Sequence, residues 1–333
     1  MTEPVLSIII VSFNTKALLA QCLASIRRYP PPVSFETIVA DNASADGSPE
    51  MVEADFPDVR LIQTGANLGF GAANNRGAHV SKGAVLLFLN SDTELLPEAV
   101  GPLLDRLDAK ASVGIVGPTE QDAAGVPYPT ICPAPDLWYL LLTHTGLRHR
   151  WYRNAWINPY RQYWEQAFAT NQPLVVDWVS GASLMVRRAV LDQVGGFDEG
   201  YFMYMEETDL CTRARKSGWL IEYVPKGRLV HYGGGSGDKV KGGLLTLSSV
   251  VSEIRYFHKH RSAGELMLLK GLLFAEFLLK WFVARPRDPR RWACREAVRV
   301  ISGLRPVYVT KEDIEGGDSR SVPGEGRRRG GQK

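Results

Sequence analysis

Cysteine is scarce in this 333-residue chain, and its four copies, Cys22, Cys132, Cys211 and Cys294, stand far apart with no CxxC pair. That spacing provides neither a zinc knuckle nor a disulfide framework, and it fits a reducing compartment. An excess of either charge is also lacking, with 39 Lys and Arg against 36 Asp and Glu, so nothing points to nucleic acid as a partner. No basic leader precedes the first apolar run at Val5, and no export signal is expected. The stretch from Leu266 to Val283 approaches spanning length, but Lys270, Glu276 and Lys280 interrupt it, as a wholly membrane-spanning helix would not allow. After the first apolar run, Ser12-Phe13-Asn14-Thr15 stands where a dinucleotide fold has its glycine-rich turn. Gly69-Phe70-Gly71 comes later and lacks the third glycine, which is weak support for that fold. A nucleotidyltransferase would call for a basic phosphate-binding loop after the first strand, and none is present.

What the chain does have is alternation. Residues 5–11, 36–40, 59–63 and 84–89 are apolar runs separated by stretches with helical periodicity, a pattern that predicts βαβ units and a mainly parallel α/β sheet flanked by helices. The fourth run, within AVLLFLNSDTELL, breaks off into Asn90-Ser91-Asp92, and Pro97 is expected to open a helix. Each of the four runs empties into a polar loop: Ser12 to Thr15, Asp41 to Ser48, Asn67 to Asn75, and Asn90 to Asp92. Any one of them is explained by turn and cap chemistry. Four on the carboxyl edge of one sheet mark a ligand crevice. A carboxylate such as Asp92 there can hold a hard divalent cation that in turn binds phosphate oxygens, and Asp41 can accept hydrogen bonds from a ribose or base.

Residues 113–118 read as a further strand, and residues 127–172 as an insertion in which Trp138, Tyr139, Trp151, Tyr152, Trp156, Tyr160, Tyr163 and Trp164 are interleaved with Arg148, Arg150, Arg153 and Arg161. Such rings either stack on sugars beside cations or bury a helical insertion against the sheet. VVDWVSGASLMV follows, broken at Ser180-Gly181 after Trp178. YFMYM then leads into Glu206-Glu207-Thr208-Asp209 at the head of a helix. Capping explains part of that cluster, and Asp209 with Arg213 has the spacing of a helical ion pair. A carboxylate beside apolar rings also has its pKa raised towards use as a base. Residues 219–224 and 228–231 read as closing strands, and His231 enters a glycine-rich loop, 233–237, that could cover a ligand.

VSFNT, VADNASADGS, NLGFGAANNRG, FLNSDTEL, WVSGASLMVRR and VGGFDEGYFMYMEETDLCTRARKSGW, with the final His231, together resemble glycosyltransferase family 2, in particular its bacterial rhamnosyltransferase-like members. The resemblance implies a GT-A fold, a dTDP- or UDP-sugar donor, Mg²⁺ or Mn²⁺, and inversion at the anomeric carbon. Carried over by motif, it places Ser12, Asn14, Asp41, Asn67, Gly69, Asn74, Asn90 and Ser91 around the donor, and Asp92 and His231 at the metal. By the same carry-over Glu207 is the base with Glu206 as rival, and Trp178, Ser180, Gly181 and Asp209 meet the acceptor. The chain departs from the family pattern at Asn90, where the first Asp of DxD is expected, and at Glu207, where the base is usually Asp. The acceptor is expected to be a glycan or polyprenyl-linked sugar in cell-surface polysaccharide synthesis, at the cytoplasmic face of the membrane. A non-catalytic sugar-nucleotide or glycan-binding protein on the same fold is the alternative.

The expected organisation is a catalytic domain over 1–240, a helical region over 241–310, and a polar basic tail over 311–333 that reads as disordered. In the helical region, Glu265, Lys270, Glu276 and Lys280 share one sector at 100° per residue and leave a broad apolar face. Six arginines from Arg285 to Arg299 follow. An interfacial helix on anionic lipid fits that pattern, as does a helix packed on the catalytic domain or on a second subunit of a homodimer.

Overall fold

A computed structural model of the chain describes residues 4–145, 161–233, 242–283 and 290–303. Its first part alternates strictly: β1 (Leu6–Ser12), α1 (Lys16–Arg28), β2 (Phe35–Asp41), α2 (Ser48–Asp55), β3 (Arg60–Gln63), α3 (Phe70–Val80) and β4 (Val85–Asn90). β5 (Thr93–Leu95), α4 (Gly101–Ala109), β6 (Val113–Gln121), β7 (Ile131–Cys132), α5 (Leu137–His144) and α6 (Arg161–Thr170) come next. Then follow β8 (Leu174–Val176), β9 (Trp178–Val179), β10 (Ser183–Arg187), α7 (Arg188–Val194), α8 (Glu206–Lys216) and β11 (Leu220–His231). Three helices, α9 (Gly242–His260), α10 (Ala263–Val283) and α11 (Arg290–Ile301), end the described chain.

The main sheet runs β3-β2-β1-β4-β10-β6-β11-β5, with β8 on β11, and β7 pairs with β9 apart from it. β3, β2, β1 and β4 are parallel, as the alternation predicts. Successive residues of the central strands enter opposite layers: Ile8, Ile10, Leu87 and Leu89 pack with α1, α2 and α4, whereas Ile9, Leu86 and Phe88 pack with α7 and α8. That period of two on an almost wholly apolar strand is how a sheet covered on both faces is built. A third core joins Tyr201 and Leu140 to Leu247, Phe257, Leu273 and Ala297 of the terminal helices.

Two expectations change. Pro97 does not open a helix; α4 begins at Gly101, and Thr93–Leu95 forms β5 because β11 offers it an antiparallel partner, with His231 opposite Thr93. The two closing strands are one, β11, whose pairing with β6 shifts between Val224 and Arg228, where Pro225 has no backbone N–H to offer. Of the aromatic insertion, Trp164 is buried and donates its indole N–H to the Ile131 carbonyl, while Trp138 is exposed. Arg148, Arg150, Trp151, Tyr152, Arg153, Trp156, Tyr160, the glycine loop beyond Gly233, Arg285, Arg287 and the tail lie outside the described residues, as do the side chains of Arg161 and Tyr163. All four cysteines are buried free thiols. No helix among the described residues is long and apolar enough to cross a membrane.

Candidate active site

Register places the polar strand ends side by side. Ser12 pairs with Asp41, and Val11 with Asn90, so three loops leave the sheet together. Thr15 occupies the N-cap of α1 but does not cap it; its hydroxyl bonds instead to Ser91 Oγ at 2.8 Å and Ser12 Oγ at 3.3 Å. Asn14, at φ 54°, receives the Ala45 N–H on its side-chain oxygen and donates its own N–H to Ser44. Asp41 accepts the Ser44 N–H on one oxygen, while the other is buried without a partner. Asn74 Oδ1 is likewise buried and unpaired. Asn67 accepts the Gly69 N–H. Gly69 has φ 85°, and a Cβ there would lie 2.2 Å from the Phe202 carbonyl oxygen; only glycine permits that approach, which docks the 67–71 loop against the segment leading to α8.

The second half of the site is a cavity of about 460 Å³ whose lining includes Glu120, Tyr128, Trp178, Ser180, Glu207 and His231. The β5–β11 pairing positions His231: its Nε2 lies 3.3 Å from Asp92 Oδ1, and the Tyr232 N–H bonds the Asp92 carbonyl at 2.9 Å. The other ring nitrogen lies 2.7 Å from Tyr128 Oη and 3.1 Å from Glu120 Oε2. Burial opposes a charge on His231, yet hydrogen bonds to Asp92 and Glu120 outweigh it and raise its pKa to about 10. Glu120 is itself 1% exposed with Oε1 unpaired. Glu120 and Tyr128 were missed by sequence reasoning; the only signal was an acid in the continuation of an apolar strand.

The acidic head of α8 divides three ways. Tyr204 and Met205 precede it at φ 72° and 67°, backbone that costs about 1–3 kcal/mol per non-glycine residue and persists only where surroundings impose it. The Ser252 hydroxyl bonding the Met203 carbonyl and the Phe70 N–H bonding the Phe202 carbonyl are two such constraints. Glu207 faces the cavity, and Gly181 packs beside it at ordinary contact distance. Burial raises the proton affinity of Glu207, to which nearby Glu120 adds. Glu206 does not line the cavity; its Cβ sits by Gly71 and its Oε2 is buried and unpaired; burial and then the Glu207 charge push its pKa up. Asp209, expected at the acceptor, is fully covered and bonded to Arg213 at 2.7 Å, His260 at 2.7 Å and Lys259 at 2.5 Å. Hydrogen bonds from His260 and Lys259 and the charge of Arg213 hold its pKa well below the usual range against the cost of burial. Asp209 thereby fastens α8 to α9 through Lys259 and His260; the helical spacing foretold only its pair with Arg213.

No group of three or more metal-binding side chains exists among the described residues. The Asp92–His231 pair nonetheless suits a cation that completes its shell with diphosphate and water, since Mg²⁺-type sites use one or two carboxylates plus substrate phosphates. Contact from Glu120 and Tyr128 on the far ring nitrogen is the outer support that a ligating imidazole requires. Binding would displace the imidazole proton.

The family described as Glycosyl transferase family 2 matches residues 7–162. The N-acetylglucosaminyl-diphospho-decaprenol L-rhamnosyltransferase of Mycobacterium tuberculosis is 38% identical over 240 residues, covering 68% of this chain and 76% of that protein. The chain is a family 2 glycosyltransferase. A shorter match to this glycosyltransferase is the rhamnosyltransferase WbbL of Escherichia coli, 47% identical over 58 residues, 17% of this chain and 22% of that one. Solved structures share the fold. The mannosyltransferase PcManGT from Pyrobaculum calidifontis, in complex with GDP-Man and Mn²⁺, superposes with TM-score 0.52 at 14% identity over 92% of this chain and 77% of its own. GalNAc-T7 with UDP, GalNAc and Mn²⁺ gives TM-score 0.52 at 16% identity, over 69% of this chain and 43% of its own. The glycosyltransferase therefore has the GT-A architecture implied by its motifs.

Proposed function

We propose that this glycosyltransferase moves a sugar, rhamnose by analogy with its relatives, from a dTDP- or UDP-sugar to a polyprenyl-linked or glycan acceptor, with inversion, in cell-surface polysaccharide synthesis. The observation that carries the reading is that Glu207 and His231, the latter touching Asp92, line one cavity. Residues 1–240 form the catalytic domain and 241–310 a helical region in this reading, and the reaction takes place at the cytoplasmic face of the membrane. The rhamnosyl donor and decaprenyl-linked acceptor come from the name of the mycobacterial relative.

The donor nucleoside lies along the strand ends, where the unpaired Asp41 oxygen accepts from ribose or base and Ser12, Asn14, Asn67, Gly69, Asn74, Asn90 and Ser91 border it. Asp92 and His231 would hold Mg²⁺ or Mn²⁺, which when bound offsets charge on the leaving diphosphate as a Lewis acid. Glu120 and Tyr128 fix the His231 ring. Trp178, Ser180 and Gly181 border the acceptor. Glu207 takes the proton of the acceptor hydroxyl as its oxygen bonds to the anomeric carbon, and the bond to diphosphate breaks with its electron pair leaving on the nucleotide. A single displacement with one base inverts the centre, whereas retention would usually need a second carboxylate as nucleophile. Glu120 is committed to Tyr128 and His231 through Oε2.

The test is transfer from dTDP-rhamnose to a polyprenyl-diphosphate-linked N-acetylglucosamine, with and without EDTA, followed by NMR of the product's anomeric centre. Metal-dependent formation of the inverted glycoside is expected. Donor binding without transfer under any metal condition would return the non-catalytic reading.

A further inference from the structure

Where the exposed apolar surface lies is the observation that neither the fold nor the reaction uses. Met267, Leu268, Leu279, Phe282 and Val283 are each 66–76% exposed, and no other large apolar side chain described exceeds 57%. All five are on α10. The side opposite the first four is buried through Leu269, Leu273 and Phe277, and Val283 is the last residue of the helix. At about 100° per residue the inward side and the four charged residues share one sector of roughly 140°, while Met267, Leu268, Phe274, Leu279 and Phe282 occupy the facing one. Three of the four charges have partners there: Glu276 pairs with His144 at 2.8 Å and with Lys280 at 2.5 Å, and Glu265 accepts from the Ser262 N–H and hydroxyl. The helix thus presents to its surroundings the face that a water-soluble helix would bury.

We infer that this outward face of α10 seats the protein in the interfacial layer of a bilayer containing anionic lipid. A helix of 21 residues is about 30 Å long, and it is too interrupted by charge to span, so it lies in the plane of the surface. Charge at its border selects the lipid. The Arg291 guanidinium lies 5.1 Å over the Trp281 ring, next to Phe282 in sequence, and Arg295 and Arg299 follow on α11 about half exposed around the single carboxylate of Glu296. Aromatic rings with neighbouring arginines suit the headgroup level of an anionic leaflet.

The attachment reaches the catalytic residues through rigid contacts. α9 holds the segment before α8 through the bidentate Arg255–Asp198 pair, and α8 itself through Lys259 and His260 on Asp209. The membrane layer therefore sets the height of Glu207 above the lipid, which matters only if the acceptor is lipid-linked; in that purpose, though not in its observations, the inference rests on the proposed function.

Sedimentation of the full chain with vesicles of phosphatidylcholine, and of phosphatidylcholine with phosphatidylglycerol, tests it. Binding to the anionic vesicles should exceed binding to the neutral ones. Combined Leu268→Glu and Phe282→Glu should lower the partition coefficient about tenfold or more with an unchanged melting temperature, while Leu268→Met and Phe282→Leu should retain it. The inference is overturned if the intact chain ignores anionic vesicles, if the acidic variant binds them equally, or if light scattering finds a dimer that the acidic variant dissolves. Transfer to a short-chain, water-soluble acceptor analogue separates the two readings: the acidic variant should keep that activity, and its absence from the intact chain too would count against the proposed reaction and leave the membrane face standing.

Discussion

The two halves of the site are assembled differently. Along β1 to β4 several contacts are local, Ser12 with Thr15, Asp41 with Ser44 and Gly69 with Asn67, and the longer ones, Asn14 with Ser44 and Thr15 with Ser91, join loops that leave adjacent parallel strands. Around the cavity the partners come from distant parts of the chain: His231 with Asp92, Glu120 and Tyr128, and Gly181 against Glu207. The first half is a surface that parallel strands create by ending together. The second exists only once β10 has entered antiparallel between β4 and β6, and β11 has returned to β5. On the proposed reading, the binding of a nucleotide and the chemistry performed on it draw on different orders of structure, and substitutions should separate them.

Glu207→Gln should have the largest effect, lowering kcat about 10³-fold with little change in donor affinity or melting temperature. Glu206→Gln, which removes a carboxylate that does not line the cavity, should cost far less turnover; if it proved equally damaging, the assignment of the base would fail. Asp209→Asn should strike stability instead, by about 3 kcal/mol at neutral pH, because it leaves Arg213, Lys259 and His260 around an uncharged amide. The folded-state pKa of Asp209 is depressed, so its contribution is complete above the ordinary Asp value of about 3.9 and is lost as pH falls below it. Denaturant unfolding at neutral pH and near pH 3 should accordingly find the gap between wild type and variant narrowed in acid but not closed, because the folded carboxyl is still ionised there. Asp41→Ala should be mildest, weakening donor binding about tenfold in calorimetry while leaving kcat at saturating donor nearly unchanged. A fall in kcat with unaltered affinity would erase the division between the halves.

That division also governs what could be read in advance. The parallel strands and their four polar loops were legible because βαβ periodicity is local and strand ends fall on one edge by rule. Asp92 and His231 were paired through family motifs, whereas the reason they meet, the three-residue β5, was invisible: Thr93-Glu94-Leu95 is too short to carry a pattern, and Pro97 pointed to a helix. Glu120 and Tyr128 escaped because they ligate nothing in sequence; their partner is 111 and 103 residues away. The cluster Glu206-Glu207-Thr208-Asp209 announced acids at a helix start and could not apportion them. Successive positions on a helix point about 100° apart, and which of them meets the cavity, Gly71 or the cations of α9 is decided by packing. In α10 the sequence displayed an apolar face and a charged one, and only the third core determined which faces inward.

Asp209 bound at once by Arg213, Lys259 and His260 has a bearing on how the molecule can be divided. A cut near residue 240 would separate two regions by function while tearing out the fastening of the helix that begins with the acids. A fragment ending there would lose two of the three partners of a wholly enclosed carboxylate, and the helical layer at the C-terminal side is thereby also the clamp that keeps the acidic end of α8 in place.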